Sequence, residues 1–188
     1  MSSAGGANGE PARANFEPGG TVFSTGRLVV RRLAETDAGF ICGLLNEPSW
    51  LRFIGDKGVR TPEDARRYIA NGPQKMYREH GFGLWLVALR AGAIPIGICG
   101  LIRRSGLDDV DLGFAYRGEF WGRGYAREAA LATLAHAKDV VGLKRIVALT
   151  ALDNARSVRL LEKLGFGFER VVRLAAEAPE SRLFSTAL

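Results

Sequence analysis

The chain has 188 residues, 47% of them apolar, and a net charge of +6, enough for one domain with a sizeable core. No apolar run reaches the length of a membrane span, and Cys42 and Cys99 lie in apolar surroundings without metal-ligand spacing, so they read as buried free thiols in a reducing cytoplasm. Arginine supplies 21 of the 26 basic residues, scattered without a recognition-helix or aromatic-basic pattern, which makes nucleic acid the weaker reading of the charge and a small anionic partner the stronger.

Residues 1–22 are rich in Gly, Ala, Ser, Asn and Pro and carry no hydrophobic segment behind basic residues. They are expected to form a disordered tail without a secretory signal, ahead of a single domain over 23–188. Thr25-Gly26-Arg27 leads into a first strand over Leu28–Leu33. Thr36 or Asp37 then caps a helix with Phe40, Ile41, Leu44 and Leu45 on one face, which stops by Pro48. Thr61 N-caps a second helix opened by Pro62, with Ala65, Tyr68 and Ile69 facing inward, and Gly72-Pro73 interrupts it. The runs Leu84–Leu89 and Ile94–Leu101 form a hairpin around the turn at Arg90–Ala93.

Val110, Leu112, Phe114 and Tyr116 alternate with small or acidic residues, the period of a half-buried strand and the third of an antiparallel meander. The period changes after Gly124: Ala126, Ala129, Leu131, Ala132, Leu134, Ala135 and Ala137 make a helical stripe continuing to about Val141. A strand running through a glycine-rich turn into a helix start aims unpaired N–H groups at one point, which is an anion site. Arg123 and Arg127 add full charge, so phosphate or pyrophosphate is the expected ligand, although glycines at a helix start also serve packing alone. The P-loop pattern is absent, and Gly122-Arg123-Gly124-Tyr125-Ala126-Arg127 lacks the last small residue of the dinucleotide fingerprint.

Arg145–Thr150 is a strand that follows a helix and should run parallel to 110–116. Residues 152–157 precede a helix with Val158, Leu160, Leu161 and Leu164 inside and Gly165 just past its end. Phe168–Leu174 and Arg182–Leu188 make a last hairpin, while 175–181 carry no local signal.

Gly113-Phe114-Ala115-Tyr116 followed by Phe120-Trp121-Gly122-Arg123-Gly124-Tyr125-Ala126-Arg127-Glu128-Ala129 resembles the acetyl-coenzyme A signature of the GNAT superfamily of N-acetyltransferases, and in particular its RimJ/RimL-like branch. The family's pyrophosphate loop reads R/Q-x-x-G-x-G/A. Here Gly124 and Ala126 fill the last two positions, and Trp121 stands at the first, as in the RimJ/RimL-like form. Thr25-Gly26-Arg27-Leu28 resembles the usual opening of that branch, and Asn154-x-x-Ser157 with Glu162–Phe166 resembles its second cofactor motif. The resemblance covers about 23–188. It implies an α+β fold with a mixed, mostly antiparallel sheet flanked by helices, in which a splayed parallel strand pair opens a V-shaped cleft. It also implies acetyl-CoA held by Phe114, Ala115, Tyr116, Trp121–Arg127, Asn154 and Ser157, and no metal.

Acyl transfer from a thioester to an amine needs a deprotonated amine, a polarised carbonyl and a proton for the thiolate. Asp111 is the candidate base, at a position commonly acidic in the branch; its alternative role is a solvated strand carboxylate. His80 reads as a surface histidine and His136 as a packed one. A backbone N–H of the 113–116 strand would polarise the carbonyl. Many relatives protonate the thiolate with a tyrosine that corresponds to Leu161, which moves that role to Ser157 or Asn154; a serine at a helix start also bonds to backbone. The leading reading is an N-acetyltransferase acting on a protein N-terminus, a small-molecule amine or an amino-sugar antibiotic. A non-catalytic acyl-CoA sensor, a transferase for a larger acyl group and association with a second copy of the chain remain open.

Overall fold

The computed structural model describes residues 17–188, and its eight strands form one sheet in the order β1-β2-β3-β4-β5-β6-β8-β7. A short hairpin of β1 (Thr21–Ser24) and β2 (Leu28–Arg31) makes one edge. The domain therefore begins before residue 23, contrary to the expected tail boundary: Thr21 and Val22 already belong to β1, and Phe23 anchors that strand by packing edge-on to Trp85 at 5.8 Å. Residues 1–16 of the expected tail lie outside the described residues.

The meander follows as β3 (Leu84–Leu89), β4 (Pro95–Ile102) and β5 (Asp111–Tyr116), each antiparallel to the last. β3 is apolar throughout because both of its faces are covered. Trp85 and Val87 join the core beneath α5 (Tyr125–Asp139), while Leu86 and Ala88 meet α1 (Ala38–Leu45) and α3 (Pro62–Asn71) on the other face. The stripe read in α5 packs only in part: Ala129, Leu134 and Ala137 are buried, but Leu131 and Ala135 face outward and Ala130 and Thr133 take the inward places, because the buried face is rotated toward 130 and 133.

Helix ends follow local chemistry, with one correction. Thr61 and Asp64 form the capping box of α3, Asp64 N–H donating to Thr61 Oγ1 at 3.1 Å and Thr61 N–H to Asp64 Oδ2 at 2.9 Å. Gly72-Pro73 divides α3 from α4 (Pro73–His80) as expected. Asp37, however, makes no side-chain cap on α1. Its carboxylate accepts from Ala34 N–H at 2.8 Å and pairs with both Nη groups of Arg31 at 2.7 and 2.8 Å, so an ion pair to β2 has displaced the cap. α1 ends at Leu45 and so stops before Pro48 as expected, but Pro48 also begins a further helix. It opens α2 (Pro48–Phe53) from the first helical position, where a missing N–H costs nothing.

The crossover through α5 leads to β6 (Arg145–Ala151), which runs parallel to β5. After α6 (Ala155–Lys163), β7 (Gly167–Val172) and β8 (Ser181–Ala187) form the last hairpin. β8 inserts between β6 and β7, so β7 takes the outer edge.

Candidate active site

β5 is paired with β4 along all of Asp111–Tyr116, and β6 with β8 along all of Arg145–Ala151. Between β5 and β6 the register holds one residue pair, Asp111 with Val147. At the next step the Leu149 N–H finds no strand carbonyl and donates instead to Asp111 Oδ1 at 3.2 Å. The strands diverge from there, and the edge of β5 at Leu112–Tyr116 faces a cleft of about 1060 Å³. Phe114, Ala115 and Tyr116 line it, and the carbonyl of Tyr116 accepts from Trp121 Nε1 at 2.9 Å, which fixes the start of the glycine loop.

That loop closes one end of the cleft. Gly122 and Gly124 sit at φ +75° and +79°, a region that side chains rarely adopt, and Gly124 is the N-cap of α5. The first intrahelical bond runs from Glu128 N–H to Gly124 O at 3.1 Å, leaving the N–H groups of Tyr125, Ala126 and Arg127 without helical partners. Trp121, Gly122, Gly124, Tyr125, Ala126 and Arg127 all line the cleft. Arg123 does not. Its guanidinium lies over Phe120 at 5.8 Å, and its carbonyl is held by Arg27 Nη1 at 2.9 Å. Of the two loop arginines expected at the anion site, only Arg127 borders the cleft.

The sequence reading missed part of the positive lining. Arg156, Arg159 and Lys163 of α6 all border the cleft, and Arg156 stacks over Trp121 with its guanidinium carbon 4.7 Å from the ring centroid. Their spacing of three and four residues puts them on one helical face, which was the signal available in the sequence.

Asn154 caps α6, its Oδ1 accepting from Ser157 N–H at 3.1 Å. Its Nδ2 and the Ser157 hydroxyl have no hydrogen-bond partner among the described residues, and both residues line the cleft. The alternative of a Ser157 hydroxyl bonded to backbone is therefore not realised. Leu161 is fully buried in the core, and Leu160 takes its place in the lining.

Asp111 sits on the floor of the cleft and is 1% exposed, which removes the solvated-carboxylate alternative. Arg104 Nε donates to its Oδ2 at 2.5 Å. Burial pushes the carboxyl above the usual aspartate value, against the opposing pull of Arg104 and the Leu149 N–H. Across from it, α2, α3 and α4 contribute Trp50, Phe53, Tyr68 and Met76 as an apolar wall. The short helix that the sequence did not disclose supplies two of these four.

The histidines lie elsewhere. His80 stacks on Phe82 at 5.7 Å, and His136 packs between Trp85 and Phe23, where burial lowers its pKa. Cys99 is buried against Thr133, its thiol pushed up to about 11 by burial, and Cys42 is half-buried and free. Among the described residues, no three His, Cys, Asp or Glu side chains are placed to hold a metal, and no helix is long and apolar enough to cross a membrane.

A family model described as an acetyltransferase (GNAT) domain matches residues 27–167. The Bacillus subtilis protein YoaA, named an uncharacterized N-acetyltransferase, is 28% identical over 153 residues, covering 81% of this chain and 86% of its own. A solved structure assigned to the GnaT acetyltransferase family, from Bordetella pertussis, superposes with a TM-score of 0.72 at 26% identity, over 87% of this chain and 97% of that one. RimL, the ribosomal L7/L12 α-N-protein acetyltransferase solved in complex with coenzyme A, shares the fold at a TM-score of 0.75 and 15% identity, over 89% of this chain and 98% of its own.

Proposed function

This chain belongs to the acetyltransferase (GNAT) family, and from that premise we propose that it is an acetyl-CoA-dependent N-acetyltransferase that acts on a primary amine. The observation that carries the reading is the divergence of β5 from β6 beside the glycine loop at the start of α5, in one continuous cleft.

The residues present fit coenzyme A. The unpaired N–H groups at the start of α5, with Arg127, Arg156, Arg159 and Lys163, suit its phosphates. The free edge of β5 and the Asn154 Nδ2 suit the amide-bearing pantetheine arm. When bound, the thioester supplies the acetyl group and a thiolate leaving group. A β5 main-chain N–H between Gly113 and Tyr116 donates to the carbonyl oxygen where negative charge develops. Asp111 takes the amine proton, directly or through one water, and its raised pKa brings it nearer the range of a working base. Ser157 Oγ, free on the same lining, is the available proton donor for the departing sulfur.

Purified protein tested with acetyl-CoA and a panel of amines should release free thiol in an amine-dependent way, and calorimetry should show coenzyme A binding. Binding without amine-dependent thiol release would instead identify an acyl-CoA sensor.

A further inference from the structure

Resting on the acetyltransferase reading above, we infer that the acceptor is an amino-acid-like amine with a free carboxylate and an apolar side chain, the carboxylate being held by Arg104. Arg104 uses only one of its nitrogens within the protein: Nε is fixed on Asp111 Oδ2 at 2.5 Å, while both Nη groups have no hydrogen-bond partner among the described residues. The side chain is 38% exposed and borders the cleft. An arginine anchored through Nε, with its remaining donors free in a cleft, is arranged for a carboxylate.

The charge of the lining points the same way. Among the described residues Asp111 is its single acid, already paired, against Lys57, Arg104, Arg127, Arg156, Arg159 and Lys163. Arg127 and the α6 cations accompany the glycine loop, which leaves Lys57 and Arg104, and of these two Arg104 is in contact with the proposed base. A polyamine or aminoglycoside would bring several ammonium groups to a lining with no free carboxylate to receive them. A peptide N-terminus without a nearby carboxylate would leave the Arg104 donors unused.

Direct contact between Arg104 and Asp111 favours an amine and a carboxylate joined through a short link of one or two carbons. With the carboxylate on the Arg104 Nη groups, the amine falls beside Asp111, because the two side chains are in contact. The guanidinium charge also disfavours the ammonium form of that amine, easing its deprotonation. Trp50, Phe53, Tyr68 and Met76 then face the rest of the molecule, which selects an apolar side chain.

The test titrates L-phenylalanine, L-methionine and their carboxamides into the CoA-saturated full chain by calorimetry, and measures thiol release from acetyl-CoA with the same compounds and with spermidine. The free acids should bind and turn over at least ~10-fold better than the amides. Arg104→Gln should erase that ratio while leaving acetyl-CoA affinity within about twofold, because Arg104 contacts Asp111 at the first residue of β5 whereas the glycine loop follows the last. Amides equal to acids in the wild type, a ratio that survives in Arg104→Gln, or no binding of either form overturns the inference. An acid preference in binding with no thiol release from any amine overturns the transferase reading instead and leaves the carboxylate site standing.

Discussion

Arg27 Nε lies 2.6 Å from Glu128 Oε2, and the same guanidinium donates through Nη1 to the Arg123 carbonyl at 2.9 Å. The Arg27 N–H and the Thr25 hydroxyl both donate to Glu128 Oε1, at 2.9 and 2.5 Å. The β1–β2 turn thus braces the glycine loop and the first turn of α5 from outside the cleft, and the Thr-Gly-Arg opening of the domain has a mechanical reason. Arg27 is a positioning residue, and Arg27→Ala should raise the KM for acetyl-CoA roughly 5-fold with little change in kcat, an exposed pair being worth ~1 kcal/mol. Arg27→Lys should rescue only in part, because an ammonium cannot hold a carboxylate and a carbonyl as a fork does. Equal KM in wild type and Arg27→Ala would show the brace to be idle.

Burial works against the charged form of Glu128, but the hydrogen bonds from Thr25 and from the Arg27 backbone and side chain outweigh it and hold the carboxyl below the usual value. A depressed acid pKa stabilises the fold above the unfolded value of ~4.3, and that contribution is lost as pH falls through the lower folded value. Glu128→Gln should therefore melt below wild type at pH 7, and the gap should close once pH falls below the folded value. Melting curves across that range check this, and a gap independent of pH would disconnect the carboxylate from stability.

Gly124→Asp sets a carboxylate at the mouth of the loop, at φ +79° and with the new Cβ 3.4 Å from Arg27 Nη2. Coenzyme A affinity should fall by at least about 10-fold from the like charge and the strained backbone. Calorimetry reads this directly, and unchanged affinity would remove the loop from the phosphate site.

Asp111→Asn should lower turnover by roughly 10²-fold or more near neutral pH. The loss should shrink as pH rises and more amine is already deprotonated. In the wild type the acid limb of kcat/KM should lie above the ordinary aspartate value, following the direction in which burial moves this carboxyl. Wild-type turnover in Asp111→Asn from pH 6 to 9 would leave Asp111 as the anchor of Leu149 and Arg104 alone.

Asn154→Ala removes the α6 cap, at a cost of about 0.5–2 kcal/mol of stability, and with it the free Nδ2 on the cleft. Asn154→Asp keeps a capping oxygen but exchanges the amide donor for a negative charge, so it should restore stability without restoring acetyl-CoA affinity. Ser157→Ala should lower turnover only a few-fold, since a thiolate is already a good leaving group. Full turnover in that variant would assign the proton to water.

The sequence by itself determined what depends on neighbours within a few residues. The switch from period two at Val110–Tyr116 to a helical stripe after Gly124 located the loop. The Thr61 cap, the Gly72-Pro73 break and Gly165 after α6 stand where local backbone chemistry put them. These signals need no knowledge of the rest of the chain, and they also carried the family resemblance. Tertiary structure alone decided the pairings between distant segments: Arg27 with Glu128 across 101 positions, the Leu149 N–H with Asp111, and β8 between β6 and β7. It also turned Trp50 and Phe53 of a six-residue helix onto the cleft and aimed Arg104 at Asp111 from a loop without periodicity. Such contacts form only when sheet order and helix packing bring remote residues together, because a side chain's partner is fixed by the closed fold rather than by its neighbours in sequence.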